Sequence, residues 1–181
     1  MDDPEQCRSA TITDLKELIK SLNDHQVDYL LIGGYSLFAH GYIRATTDID
    51  IIVPLTFECG QKLKEALLFL PDKACQDIDP NWFIDVDSDD FGNIRVADAF
   101  VIDVMFNACG ETYKSLKNYT QIIEIDGISI KTINLKGLLK TKQTTREKDI
   151  SDRIIIERAI FEINKSKDKT LKSIKKASFD L

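Results

Sequence analysis

Apolar residues recur at intervals of three and four from Ile12 through Leu15, Leu18, Ile19 and Leu22. That spacing lays one stripe along a helix, capped by Thr11 or Thr13, with Asp14 and Glu17 in its first turns and an end near Asn23. Residues 27–34 then read as a buried strand of β-forming side chains stopped by Gly33 and Gly34, and residues 36–42 as a short helix ending at Gly41. A second strand covers residues 48–53, apolar apart from two aspartates and closed by Pro54. Residues 56–70 predict a helix with Phe57, Leu63, Leu67 and Leu70 on one side, and residues 71–80 a loop. Short strands follow at 82–86, 93–98 and 99–106, divided by Asp-rich and Gly-containing turns. Residues 122–133 predict a hairpin turning at Asp126-Gly127. Beyond Leu135 the pattern becomes helical, with a polar stretch at 141–149 and an amphipathic one at 154–163.

This order of elements predicts an α/β (α+β) protein with a mixed sheet flanked by helices and with C-terminal helices. At 181 residues and 43% hydrophobic, the chain suffices for one well-buried core with a small helical appendage. The expected division is a core over 1–134, a helical segment packed on it over 135–164, and a basic tail over 165–181. The tail carries net +4 and the rest −10, within an overall charge of −6. A basic end on an acidic body can touch a polyanion such as RNA, the alternative being a solvated terminus. Cys7, Cys59, Cys75 and Cys109 form no CxxC pair, and only His25 and His40 could join them, so free thiols are expected rather than zinc or disulfides. The start lacks a basic segment followed by an apolar one, and no apolar run nears the roughly 18 residues of a membrane span. A soluble, cytoplasmic protein is the expectation.

Asp48 and Asp50 stand at i and i+2 on a strand, so they project from one face, about 6.6 Å apart along the chain. Two carboxylates in an apolar strand cost several kcal/mol unless cations neutralise them, and a divalent metal supplies that neutralisation. Upstream, Gly33-Gly34 lets backbone approach a ligand at the start of a helix, where free N–H groups attract phosphate, and Ser36 adds a hydroxyl. Phosphate cradle and metal carboxylates on consecutive elements would set a nucleoside triphosphate beside its Mg²⁺. Asp103, alone in an apolar strand, is the candidate third carboxylate. Asp98 and Asp85 are weaker, lying at strand ends beside turns. Each feature has a plainer meaning taken singly: a turn, an edge strand, a buried aspartate paired with a lysine. Their joint order is what points to chemistry. Residues 85–92 resemble a calcium loop, but counted from Asp85 the sixth position is Asp90 rather than glycine, and counted from Asp87 the fifth is Phe91. No GxxxxGK[ST] or GxSxG motif occurs.

Residues 31–53, LIGGYSLFAHGYIRATTDIDIIV, resemble the signature of the DNA polymerase β-like nucleotidyltransferase superfamily, in which hG[GS] precedes Dh[DE]h by about a dozen residues. Thirteen residues separate Gly34 from Asp48. The Gly-Gly form, the RATTDID approach and the segment 138–152 are similar to the bacterial AbiEii-like branch, which includes toxins of toxin–antitoxin systems. The resemblance implies a nucleotidyltransferase fold and a cytoplasmic enzyme that moves a nucleotidyl group from a nucleoside triphosphate such as ATP to a hydroxyl acceptor, releasing pyrophosphate. It implies two Mg²⁺ ions, or Mn²⁺, on Asp48, Asp50 and Asp103, with Asp103 also taking the acceptor proton. Gly33, Gly34 and Ser36 would hold the triphosphate, and Lys142, Asp149 and Asp152 are the positions that would approach the nucleotide or acceptor. Arg44, before the aspartate pair, can steady a phosphate or serve as surface charge. No counterpart of the larger C-terminal domain common in that branch is expected within residues 1–181, which leaves the acceptor open among an RNA or tRNA end, a small molecule and a protein. An antitoxin partner belongs to the same expectation. The rival reading is a nucleotide-binding or partner-binding regulator that keeps the fold without turnover.

Overall fold

The computed structural model describes residues 7–84 and 92–177, with side chains up to Lys167. Asp85 and most of the acidic 85–92 segment therefore lie outside the described residues, as do the side chains of much of the basic tail. Helix α1 (Ile12–Asp24) is capped by Thr11, whose hydroxyl accepts from the Asp14 N–H while the Asp14 carboxylate accepts from the Thr11 N–H. Of its predicted stripe, Leu15, Leu18, Ile19 and Leu22 are wholly buried, while Ile12 in the first turn stays exposed. Strand β1 (Leu30–Ile32) runs directly into helix α2 (Gly33–Ala39), so the two glycines form the first turn of the helix rather than a turn before it. Strand β2 (Asp48–Ile52) and helix α3 (Phe57–Ala66) follow, then β3 (Asn93–Ala97), β4 (Val101–Met105), α4 (Tyr113–Leu116), β5 (Thr120–Ile125), β6 (Ile128–Ile133), α5 (Leu135–Lys140) and α6 (Glu147–Ala177).

The strands form one mixed sheet in the order β3-β4-β2-β1-β6-β5. Strand β2 lies parallel to β4 and antiparallel to β1, β1 is parallel to β6, and β3–β4 and β5–β6 are antiparallel pairs. The β5–β6 turn is the predicted Asp126-Gly127, both residues at positive φ, as a two-residue hairpin requires. Period-two alternation then divides the sheet. Ile49, Ile51, Ile102, Val104, Ile94 and Val96 point into a core shared with α1 and α3, and Ile32, Ile52 and Ile133 point to a smaller core under α5 and α6. Residues Asp48, Asp50 and Asp103 share the second face.

Two local expectations are corrected. The predicted strand at 82–86 is a 3-10 turn over Pro80–Phe83 in its described part. Asp79 accepts from the Asn81 N–H and Pro80 fixes φ, which nucleates a helical turn, and Phe83 packs edge-on to Phe106 with centroids 5.1 Å apart. In α3, Leu63, Leu67 and Leu70 are buried but Phe57 stays exposed in the first turn. The basic tail is continuous with the preceding segment, since α6 runs unbroken across residue 164.

Candidate functional site

Parallel pairing of β2 with β4 sets Asp50 directly beside Asp103, and antiparallel pairing of β3 sets Arg95 on the other side of Asp103. One oxygen from each of Asp48, Asp50 and Asp103 lies within 4.8 Å of the other two. Arg95 Nη1 is 3.4 Å from Asp103 Oδ2, and Asn93 Nδ2 donates to Asp103 Oδ1 at 3.4 Å. The carboxyl of Asp50 is pushed up to about 7 by burial and by the charges of Asp48 and Asp103, against a smaller pull from Lys142 and Lys148. Burial also pushes Asp103 up, partly offset by Arg95.

These side chains floor a cleft of about 550 Å³ whose walls carry Lys142, Arg146, Lys148 and Asp149 from the start of α6 and the loop before it. Lys142 Nζ sits 3.0 Å from both Asp149 Oδ1 and Asp152 Oδ2. Arg44 grips Asp152 with Nε and Nη2 at 2.7 and 3.0 Å. Burial pushes the Asp149 carboxyl upward, but hydrogen bonds from Thr144 and Lys142 outweigh it, and its net shift is downward. Arg153 donates to the carbonyls of Lys142 and Thr144 at 2.6 and 2.7 Å, tying the loop to α6.

The glycines act through space as much as through backbone freedom. A Cβ on Gly33, which sits at φ +69, would lie 1.9 Å from Asp50 Oδ2, and one on Gly34 would lie 2.6 Å from Thr46 Oγ1. The first glycine makes room for a cluster carboxylate and the second for the approach to β2. Gly33 lines the cleft. Ser36 is fully buried and faces Thr132 Oγ1 at 2.8 Å. Because the Thr132 hydroxyl donates to the Leu31 carbonyl, the Ser36 hydroxyl donates to Thr132, knitting α2 to β6 rather than facing the cleft. Asp98 accepts N–H groups of Asp72, Ala74 and Ala99, a loop clamp at the end of β3.

The structure thus gathers Asp48, Asp50, Asp103, Gly33, Lys142 and Asp149 on one cleft, with Asp152 and Arg44 immediately behind. Asn93, Arg95, Arg146 and Lys148 escaped the sequence reading. The alternation of residues 93–97 put Asn93 and Arg95 on one face, and only the β3–β4 register shows that this face is the one of Asp103.

The three carboxylates suit a hard divalent cation: all donors are oxygen, they converge, and among the described residues Arg95 alone forms an ion pair with them, Lys142 and Lys148 acting from farther away. Among the described residues no helix is long and apolar enough to cross a membrane.

Neither a protein-family model nor a curated protein sequence matches the chain. Among solved structures, a candidate nucleotidyltransferase from Thermotoga maritima is similar, with 15% identity, 90% of each chain covered and a TM-score of 0.49. At that distance the function has to be read from the site itself.

Proposed function

We propose that this chain is a metal-dependent nucleotidyltransferase. The observation that carries the reading is the convergence of Asp48, Asp50 and Asp103 on one floor, under a wall bearing Lys142, Arg146 and Lys148. Asp48, Asp50 and Asp103 would hold Mg²⁺ or Mn²⁺, which when bound supplies charge neutralisation at the transferring phosphoryl group. Gly33 admits the triphosphate close to the backbone beside Asp50, and the exposed Arg146 and Lys148 draw its anionic oxygens. Asp103, at the edge nearer β3, takes the proton of the acceptor hydroxyl. A new bond forms from that oxygen to the α-phosphorus, the bond to the β-phosphate bridge breaks, and pyrophosphate leaves. Arg95, Arg146 and Lys148 are exposed cations at the mouth, so they favour a phosphate-bearing acceptor such as an RNA end over a cationic small molecule. An antitoxin partner remains part of the proposal through the sequence resemblance alone.

The test is incubation with each labelled triphosphate and Mg²⁺, first with total RNA, then with whole-cell protein and metabolites. Label transfer that disappears in Asp48→Ala and Asp50→Ala is the expected result. Transfer that survives either substitution sinks the site, and triphosphate binding without transfer to any acceptor favours the regulator.

A further inference from the structure

Arg44 was a candidate phosphate ligand, yet its guanidinium is committed elsewhere. Two of its nitrogens hold Asp152, and Nη1 donates to the Ala45 carbonyl at 2.7 Å. Asp152 is 1% exposed, and its other contact is the Lys142 ammonium, itself shared with Asp149. The result is an unbroken chain of alternating charges, Arg44, Asp152, Lys142, Asp149 and, at 3.3 Å from Asp149 Oδ2, the exposed Arg146. It begins in the segment that leads into the metal-carboxylate strand and ends in the cleft wall. Its two ends also open on different cavities: Arg44 and Asp152 line a second hollow of about 360 Å³, and Lys142 and Asp149 line the main cleft. Lys148 borders both.

The Arg44 end is itself anchored. A Cβ at Gly34 would meet Arg44 Nη1 at 2.9 Å, so the guanidinium lies against the first turn of α2, where a larger residue would displace it. The other end is anchored by Arg153 on the carbonyls of Lys142 and Thr144. Arginine suits such a place because its planar fork meets a carboxylate in one geometry.

Building on the nucleotidyltransferase reading, we propose that Arg44 is a positioning residue, which by gripping Asp152 fixes Lys142 and the start of α6 over Asp48, Asp50 and Asp103 at the distance the triphosphate requires. Arg44 does this without touching the nucleotide.

The sign of one substitution separates this from direct phosphate binding. Asp152→Asn removes a negative charge next to the cleft and frees Arg44. If Arg44 were a phosphate ligand, the anion would bind as well or better. If Arg44 positions, the anion binds worse, because the lost grip outweighs the gained charge. The measurement is calorimetric titration, at low temperature where the variants are folded, of Mn²⁺ alone and of Mn²⁺ with a panel of α,β-methylene nucleoside triphosphates. Mn²⁺ alone should bind wild type, Arg44→Gln and Asp152→Asn within about twofold. The triphosphate analogue should bind about tenfold more weakly to both variants, as positioning partners of metal sites typically show, and no more weakly to the double variant. Arg44→Lys, which keeps the charge without the fork, should fall between and serves if Arg44→Gln does not fold. Unchanged or tighter analogue binding to Asp152→Asn overturns the proposal, as do losses that add in the double variant. Wild type that binds Mn²⁺ but no analogue defeats the transferase reading instead. Positioning is then decided by amide exchange: faster exchange at 141–146 in Arg44→Gln supports it, and unchanged exchange there overturns it.

Discussion

Asp149 and Asp152 each meet the Lys142 ammonium at 3.0 Å, and Asp152 also takes both prongs of Arg44. Across the cleft floor, Asp48, Asp50 and Asp103 crowd within 4.8 Å, and among the described residues Arg95 alone, at 3.4 Å and largely exposed, forms an ion pair with one of them. Both groups are carboxylates at least partly withdrawn from water, where an uncompensated charge is costly. One is neutralised from within the chain, so it contributes rigidity. The other is left in deficit, so it contributes an affinity for cations from outside. Fold and chemistry thus use the same residue type, and the neighbouring charge decides which role it plays.

Breaking the deficient group should cost the most function and the least structure. Asp48→Asn or Asp50→Asn is expected to lower nucleotide transfer by about 10³-fold or more, the scale of losing a charge-stabilising element at a reacting centre. The same variants, melted without metal, should be no less stable than wild type, since each removes a like-charge repulsion. A melting point that falls along with activity would place these aspartates among the structural ones.

Breaking the neutralised group should do the reverse. Asp152→Ala strands Arg44 and Lys142 together with no shared counter-charge, and removing one member of a buried pair typically costs about 3–5 kcal/mol. Urea unfolding measures it directly. A loss under about 1 kcal/mol would show that water or Asp149 compensates, and the contrast between the two groups would then be one of position only.

How far this contrast was legible beforehand depends on the range of the partner. Asp48, Asp50 and Asp103 stood out because a charge inside an apolar strand is anomalous at once, and period two tells which charges share a face. The α1 stripe, the β5–β6 turn and the mixed α/β order were local patterns and held for the same reason. Arg44 could not be read, because its partner Asp152 is 108 residues away and nothing in the intervening pattern points to it. Arg95 required the β3–β4 register. Ser36 was placed near the phosphates by assuming that the glycines precede the helix. The helix starts at Gly33 instead, and Ser36 turns inward to Thr132. The strand expected at 82–86 gave way to Asp79 and Pro80, whose capping and fixed φ outweigh the β-preference of the residues after them.

Gly33 sharpens the comparison from the side of space rather than charge. Gly33→Ala places a methyl 1.9 Å from Asp50 Oδ2 at a φ that L-residues avoid. Strain and overpacking together should cost about 2–4 kcal/mol and swing Asp50 out of the cluster. Mn²⁺ titration should show weakened binding in the folded variant. Full metal affinity in Gly33→Ala would mean that Asp50 has a second productive rotamer and that the glycine serves only the turn.

The smallest expected effect is also the one that reads the charge deficit without any mutation. Asp50 holds its proton up to about pH 7 in the fold but releases it near 4 when unfolded. Between those values the folded chain binds more protons than the unfolded one, so stability falls as pH rises through that window. The metal-free protein should therefore melt a few degrees lower at pH 7.5 than this group alone would allow at pH 4.5, an effect isolated by the difference from Asp50→Asn, whose profile lacks the slope. Mg²⁺ competes with the same proton, so it should raise the melting point of wild type most above pH 7 and release protons below it. Asp149, held down by Thr144 and Lys142, contributes the opposite slope, lost only at acid pH. Identical Mg²⁺ stabilisation at pH 5 and pH 8 would show that the floor carboxylates are already neutralised by the chain, and the distinction between the two groups would dissolve.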